Sequence, residues 1–211
     1  MPSPRERRTA EHQVRRLEAF SDGVFAIAAT LLVLDLSVNE LGALASDGDL
    51  WAALAERLPT IAAFVVSFLL LCLLWWIHTR AFDDVERVDG VFVALNSLRL
   101  LGVVLIPFTT SISSAYGSLT TGAVYLAVDF CFVVLVGAAQ AWYATEPRRG
   151  LMPELGDAER GRIRRGGLSA IVLSIVAVIL SPLIGTFAFV AYAFDPLLSR
   201  WLEARAVSDR P

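Results

Sequence analysis

The chain has 211 residues, of which 56% are hydrophobic and 18% are charged, and its mean hydropathy is +0.62. Soluble globular chains are about half apolar and about one quarter charged. This composition excludes a disordered chain, a collagen and a disulfide-stapled secreted module. The net charge is −3, and all 18 basic residues are arginine. The sequence therefore predicts an all-α polytopic membrane protein.

Apolar segments of membrane-spanning length recur along the whole chain. A bilayer core of about 30 Å needs roughly 20 mostly apolar residues in a helix. Four segments meet this requirement, at about 20–38, 58–78, 90–111 and 119–143. The last apolar stretch could hold two short spans, 167–181 and 183–202, if the chain turns at Ser181-Pro182 and Gly185. One kinked helix is the alternative, but we favour the hairpin and predict a single six-span domain over 1–211.

The arginines predict how the chain is oriented. Sixteen of the 18 lie in the N-terminal arm, the connections after the second and fourth spans, and the C-terminal tail. Only Arg57 lies on the other side, and Arg99 falls inside the third span. Because positive charges accumulate on the cytoplasmic side, we expect both termini to be cytoplasmic, which requires an even number of spans. We also expect a short surface helix at about 154–165.

Polar side chains accompany Asp22 near the cytoplasmic end of the first span. Arg16, Ser21 and His78 are expected at a comparable depth. Ionisable residues in a span are costly and are candidates for function. An aspartate exposed to lipid head groups is the simpler alternative.

A second pair of charges lies deeper in the membrane. Arg99 and Asp129 occupy the third and fourth spans, which are consecutive and antiparallel. Burying a lone charge is unfavourable, so we expect the two side chains to form an ion pair. We favour a structural pair over an ion relay.

Nothing in the sequence points to catalysis. It contains no HExxH sequence, no paired catalytic carboxylates, no Ser/His/Asp set and no phosphate-binding glycine loop. Cys72 and Cys131 lie in apolar runs and are interpreted as buried packing residues, with neither a disulfide nor a metal site between them. We predict no enzymatic activity, no bound metal and no cofactor.

Three motifs follow one another in the first half of the chain. Segment 16–23 reads RLEAFSDG, segment 75–78 reads WWIH, and segment 95–98 reads LNSL with IPF following at 106–108. As RxxxFSD, WxxH and LNxL…PF, these motifs resemble the transmembrane protein 175 family of potassium channels in its bacterial single-repeat form. The later spans agree with that family in number, length and topology, whereas Arg99 departs from its aliphatic pattern in the third span.

The resemblance implies a homotetramer of six-span subunits, with the first helix of each subunit lining a central pore. Members conduct potassium in preference to sodium without a TVGYG filter, which this chain also lacks. Counted from the FSD motif, the implied constriction is Ile27, followed by Leu31 and Leu34, with Thr30 as a polar layer. The motif residues would form a structural polar cluster that fixes the first span: Arg16, Phe20, Ser21, Asp22, Trp75, His78 and Asn96.

Helix geometry agrees with this pore assignment without requiring it. Ile27, Leu31 and Leu34 are spaced i, i+4, i+7 and would stack on one helix face across roughly 10 Å. Four copies of that face would form apolar rings, which can block ions by dewetting. From the residues alone, contact with lipid or with neighbouring helices is the commoner role of such a stripe.

Our leading hypothesis is a passive potassium channel in a bacterial cytoplasmic membrane, with potassium ions, lipid and three identical subunits as partners and no nucleic acid. No span carries the regularly spaced arginines of a voltage sensor. One alternative is an ion- or proton-coupled secondary transporter that uses Arg99 and Asp129, although no inverted repeat is visible. Another is a membrane scaffold that does not conduct. Asp22 could also act by attracting cations to the inner mouth of a pore.

Overall fold

A computed structural model describes residues 4–36 and 45–194, and within these ranges the chain forms helices and no strands. Five segments are long and apolar enough to cross a membrane, which confirms the all-α membrane architecture. The helices are α1 (Pro4–Leu31), α2 (Asp47–Glu56), α3 (Leu58–Phe82), α4 (Gly90–Ala115), α5 (Thr120–Ala144) and α6 (Asp157–Ile184). Short 3-10 helices follow at Leu32–Asp35, Pro147–Arg149 and Gly185–Phe194.

Helix α5 is the centre of the bundle. In its most apolar window 56% of the residues are buried, compared with 22% for α1 and 28% for both α3 and α6. Phe130 and Val133 are almost wholly buried, Phe130 against the rings of Phe189 and Tyr192 and Val133 against Gly102 of α4. Because the middle of the bundle is filled by side chains, the least buried helix, α1, lies at its periphery.

Helix α1 begins well before the first predicted span. It starts at Pro4, so the arginine-rich arm is helical and continuous with the membrane segment. Val14, Phe25, Ala28 and Leu32 are buried on one face of this helix and its 3-10 extension. These residues are separated by 11, three and four positions, which places them on one side of a helix. Helix α1 packs against the bundle through this stripe.

The short helix α2 was not predicted. Its N-terminus is capped by Ser46, whose hydroxyl accepts a hydrogen bond from the Asp49 backbone N–H at 3.2 Å. A serine three residues before an acidic residue is a helix-start signal that the sequence does contain. None of the residues of α2 is buried.

The chain reverses direction after α6 at Gly185, one of the predicted turn residues, and not at Ser181-Pro182. Helix α6 continues through Ser181 and Pro182 and ends at Ile184, and Gly185 then has a φ of +57°, which side-chain-bearing residues rarely adopt. The following segment packs back along α6, because the Tyr192 hydroxyl lies 2.6 Å from Ser174 Oγ and 3.3 Å from the Ala170 carbonyl oxygen. The end of the predicted sixth span, 195–202, lies outside the described residues, so six spans stays a prediction.

The prediction of a separate short surface helix at 154–165 is wrong. Helix α6 begins at Asp157 and passes without a break into its apolar part. The prediction of buried cysteines is also wrong for Cys72, which is exposed, while Cys131 is half-buried and both thiols are free. An apolar run in a peripheral membrane helix does not distinguish its buried face from its outer face.

Three arginine-bearing segments meet at one end of the bundle, which we call the arginine-rich end. Val14 of α1 packs there with Val85 of the α3–α4 connection and with Leu151 of the α5–α6 connection. The two connections are also joined by a backbone hydrogen bond from Glu86 to Leu151 of 3.0 Å. The sequence predicts that this end is cytoplasmic.

Asp89 caps α4 at the arginine-rich end. Its carboxylate accepts hydrogen bonds from the Phe92 backbone N–H at 2.8 Å and from the Tyr143 hydroxyl at 2.7 Å. Burial by itself raises the pKa of Asp89, but hydrogen bonds from Tyr143 and from backbone N–H groups outweigh it and hold the pKa below its usual range. The ionised form is therefore the one that stabilises the fold.

We predict that Asp89→Ala lowers the free energy of unfolding by about 1 kcal/mol, because the helix loses its N-cap. Thermal unfolding in detergent micelles measures this, and Asp83→Ala, an exposed position in the same connection, is the matched control. The difference between wild type and Asp89→Ala should be constant above about pH 5. It should shrink as the pH falls from about 4, where Asp89 of the unfolded chain takes up a proton, through the lower pKa of Asp89 in the folded state. Equal losses in both variants would contradict the cap.

Candidate pore helix and its polar anchor

Two polar contacts attach α1 to its neighbours, one at the subunit surface and one buried. We call the five side chains that make them the polar anchor: Ser21, Asp22, Trp75, Asn96 and Gln140. In the first contact, the Trp75 indole N–H of α3 donates to Asp22 Oδ1 of α1 at 2.9 Å. Asp22 is half-buried at this position. The carboxylate is therefore satisfied by α3.

The second contact of the polar anchor joins α1, α4 and α5. Asn96 Nδ2 donates to Ser21 Oγ at 3.0 Å, and Gln140 Nε2 donates to Asn96 Oδ1 at 3.3 Å. Ser21 in turn donates to the Leu17 carbonyl oxygen at 2.8 Å. All three side chains are buried, so their polar atoms bind one another in place of water. The sequence analysis missed Gln140, although a single glutamine in an apolar span is itself a signal.

His78 lies beside the polar anchor and contacts a different partner. Its Nδ1 is 3.3 Å from the Arg99 guanidinium on α4. Its ring packs against Phe25 of α1 and Phe82 of α3, with centroid distances of 5.4 Å and 4.7 Å. His78 therefore touches α1 through an aromatic ring, and its side chain is fully buried.

The first two residues of the RxxxFSD motif stay outside the polar anchor. Phe20 is 62% exposed, and Arg16 is exposed with no hydrogen bond or ion pair to the described residues. Arg16 lines a shallow cavity of about 500 Å³ between α1 and the start of α4, together with Asp89. The structure thus brings together five of the seven predicted polar-motif residues, counting His78, and leaves these two at the surface.

The prediction of an ion pair between Arg99 and Asp129 is wrong, because the two side chains have different partners. Asp129 is buried and lies 3.2 Å from the Thr109 hydroxyl, whereas Arg99 lies against Gly137 and His78. Gly137 is eight residues beyond Asp129 on α5, which corresponds to about 12 Å along a helix. The two side chains lie in adjacent helices, as predicted, but at different heights in the bundle.

The face of α1 opposite its buried stripe is uncovered in the subunit. Ile27 is 61% exposed, Leu31 is 41% exposed and Leu34 is 69% exposed. Leu34 belongs to the 3-10 helix after α1, where residues three apart eclipse one another, so Leu34 stacks above Leu31. Thr30 is exposed beside them, and its hydroxyl donates to the Ile27 carbonyl oxygen at 2.8 Å.

The polar anchor generates a stability prediction. Asn96→Ala leaves Ser21 and Gln140 without their buried partner, so we expect the free energy of unfolding to fall by about 1–3 kcal/mol. Ser97→Ala is the matched control, because Ser97 is exposed and its hydroxyl only donates to the Val93 carbonyl oxygen of its own helix. Thermal unfolding in micelles measures both. A loss for Ser97→Ala as large as that for Asn96→Ala would contradict the role given to Asn96.

Comparison with known proteins connects this arrangement to a family. The sequence model of the family described as "Endosomal/lysosomal potassium channel TMEM175" matches residues 16–107, which contain the second half of α1, all of α2 and α3, and most of α4. A protein of Streptomyces collinus named as a potassium channel is 40% identical over 157 residues, which are 71% of this chain and 73% of its own.

Two solved structures are similar over most of the chain. The crystal structure of a lysosomal potassium-selective channel TMEM175 homolog from Chamaesiphon minutus superposes with a TM-score of 0.67 and 31% identity, over 89% of this chain and 98% of that one. A variant of the potassium channel MtTMEM175 superposes with a TM-score of 0.61 at 20% identity, over 92% and 94% of the two chains, and shows the fold alone. The chain belongs to the TMEM175 family.

Proposed function

We propose that this chain is the subunit of a homotetrameric, potassium-selective channel, in which α1 of each subunit lines a shared pore and ions move passively. The observation that carries the proposal is the two-sided character of α1. The polar anchor and Phe25 hold one face on the bundle, while Ile27 and Leu34 on the other face are uncovered. The names of the Streptomyces and Chamaesiphon relatives, both called potassium channels, support the permeant ion.

The filled centre of the subunit supports a pore between subunits. Phe130, Leu126 and Val133 on α5 have at most 1% of their surface exposed, so the middle of the bundle is packed like a protein core. An ion path must then run along an outer surface that several copies share about one axis. Helix α1, the least buried of the five candidate spans, offers that surface.

The uncovered face of α1 has the chemistry of a hydrophobic constriction. Four copies of Ile27 would form an apolar ring, and Leu31 and Leu34 would form further rings beyond it. Thr30 uses its hydroxyl hydrogen within the helix, so it presents an oxygen atom to its surroundings. Oxygen is the atom that replaces water around a partly dehydrated cation, and aliphatic rings discriminate less than a cage of fixed oxygens. We therefore expect modest selectivity for potassium over sodium.

The geometry disfavours the transporter alternative. That alternative needs Arg99 and Asp129 to exchange charge, and they have separate partners at different heights. We propose in addition that the arginine-rich end is cytoplasmic, that the channel resides in a bacterial cytoplasmic membrane, and that the protein has no enzymatic activity and no cofactor besides the permeant ion.

Substitution at Ile27 tests the constriction. We predict that Ile27→Asn increases potassium flux into proteoliposomes, because a polar ring lowers the cost of wetting the pore. Ile179→Asn is the matched control, because Ile179 lies on α6 and is 66% exposed, close to the value for Ile27. Flux that responds equally to the two substitutions would contradict the assignment. Flux that responds to neither would favour a scaffold that does not conduct.

Two roles of Asp22 can be distinguished by experiment: a structural one, through its hydrogen bond with Trp75, and an electrostatic one, as a charge at the mouth of the pore. Asn at position 22 keeps an oxygen that can accept from Trp75, whereas Trp75→Phe removes the donor. If the contact is a lock, we predict that Asp22→Asn conducts normally and that Trp75→Phe loses tetramer and flux together. Single-channel conductance and size-exclusion chromatography measure the two effects. Reduced conductance of an intact Asp22→Asn tetramer, with Trp75→Phe unaffected, would show instead that Asp22 attracts cations.

A further inference from the structure

Arg99 is a buried guanidinium whose neighbour is an imidazole. Its side chain is on α4 and is 4% exposed, and in the described part of the chain no carboxylate lies within ion-pair distance of it. The contact that it makes is the one of 3.3 Å between Nη1 and His78 Nδ1. We propose that Arg99 is a positioning residue, which holds His78 as a neutral imidazole and so keeps the attachment of α1 independent of pH.

Donor and acceptor counting assigns the proton on His78. A guanidinium has five N–H donors and no acceptor, so in the contact with Arg99 the imidazole Nδ1 must accept. A nitrogen that accepts carries no proton, and a neutral imidazole then has its single proton on Nε2. The charged form, in which both nitrogens carry protons, would set two N–H groups and two positive charges against each other at this distance.

The other groups around His78 offer no charge that would reverse this preference. Helix α1 contributes the Phe25 ring at 5.4 Å, and its nearby carboxylate, Asp22, accepts a hydrogen bond from Trp75. Helix α3 contributes the Phe82 ring at 4.7 Å. From α4 the neighbouring groups are Arg99 and, one turn earlier, the neutral Asn96, and the polar group that α5 brings to Asn96 is the neutral Gln140.

Gly137 on α5 makes room for the guanidinium. A Cβ atom at this position would lie 3.1 Å from both Cζ and Nε of Arg99, closer than most real contacts of a Cβ atom. A methyl group there would require the guanidinium to shift by a few tenths of an ångström, while leaving its charge in place. Gly137→Ala consequently provides a second, milder way to disturb the contact than removal of Arg99.

A free histidine changes its charge between about pH 5 and pH 8. In this fold a positive charge on His78 would appear against the Phe25 ring, where α3 contacts α1. An effect of the His78–Phe25 contact on ion flux is expected only if α1 lines the pore, so this part of the inference rests on the proposed function. The state of His78 itself does not, so the two can be measured separately.

Nitrogen NMR of histidine tests the state of His78 directly. The chain has two histidines, so the full-length His12→Gln protein in nanodiscs carries a single 15N-imidazole. We expect its Nδ1 to stay unprotonated between about pH 5 and pH 8 in the wild-type background and in Arg99→Lys, which keeps a charged donor. In Arg99→Ala, where water can fill the vacated polar space, we expect loss of the unprotonated Nδ1 resonance as the pH falls.

Gly137→Ala keeps the proposal testable if Arg99→Ala does not fold. In that variant we expect the tautomer equilibrium to shift toward Nδ1–H at neutral pH, because the displaced guanidinium donates less well to Nδ1. Titration of His78 in the wild-type background would overturn the proposal. So would a neutral Nε2–H tautomer throughout the range in both Arg99→Ala and Gly137→Ala, since aromatic packing and not Arg99 would then hold the ring.

Potassium flux connects the imidazole to the channel. We expect a flux ratio near one between the two ends of the pH range for the His12→Gln and Arg99→Lys proteins, and a several-fold ratio for Arg99→Ala. In Arg99→Ala/His78→Gln the ratio should return to one, which a merely structural effect of losing Arg99 would not produce. The NMR changes without any change in the flux ratio would support the role of Arg99 and count against α1 as the pore helix.

Discussion

The rotation of α1 about its own axis depends on hydrogen bonds that join it to two neighbouring helices. Trp75 binds Asp22 and Asn96 binds Ser21, and these two bonds lie on adjacent residues of α1 that face different neighbouring helices. In a bilayer an apolar surface can turn toward lipid at little cost, so apolar packing alone defines the rotation of a peripheral helix weakly. A buried polar group without a partner is costly, so the buried bond between Ser21 and Asn96 favours a single orientation, and the Asp22–Trp75 bond at the subunit surface favours the same one.

That orientation determines which side chains of α1 remain outside the subunit. Once Phe25 and Ala28 are directed into the bundle, the helical period directs Ile27 and Thr30 away from it. The polar anchor is itself fixed to the α4–α5 core, because Gln140 of α5 donates a hydrogen bond to Asn96 of α4. Short polar contacts in each subunit can in this way define the lining of a pore that only an assembly of subunits would complete.

The sequence was sufficient for features that depend on composition and short-range spacing. Apolar length located the membrane helices. The family resemblance carried by the three motifs identified Ser21, Asp22, Trp75 and Asn96, which do meet in the fold. It was insufficient where the relative height of two helices decides the outcome. Arg99 and Asp129 lie in adjacent helices but at different levels. For the chain reversal the sequence named both Ser181-Pro182 and Gly185, and the structure places it at Gly185, where φ is positive.

The pore-lining role of α1 is tested most directly by the accessibility of Ile27 during conduction. Cys72 and Cys131 are the only cysteines, so Cys72→Ser/Cys131→Ser provides a background without thiols for Ile27→Cys and for the control Ile179→Cys, whose position on α6 is similarly exposed in the subunit. Potassium flux into proteoliposomes is recorded before and after addition of silver ions, which permeate cation pathways and bind thiolates. We predict that silver blocks flux through the Ile27→Cys channel and leaves the Ile179→Cys channel unchanged. An Ile27→Cys channel that conducts undiminished in silver would contradict a pore lined by α1.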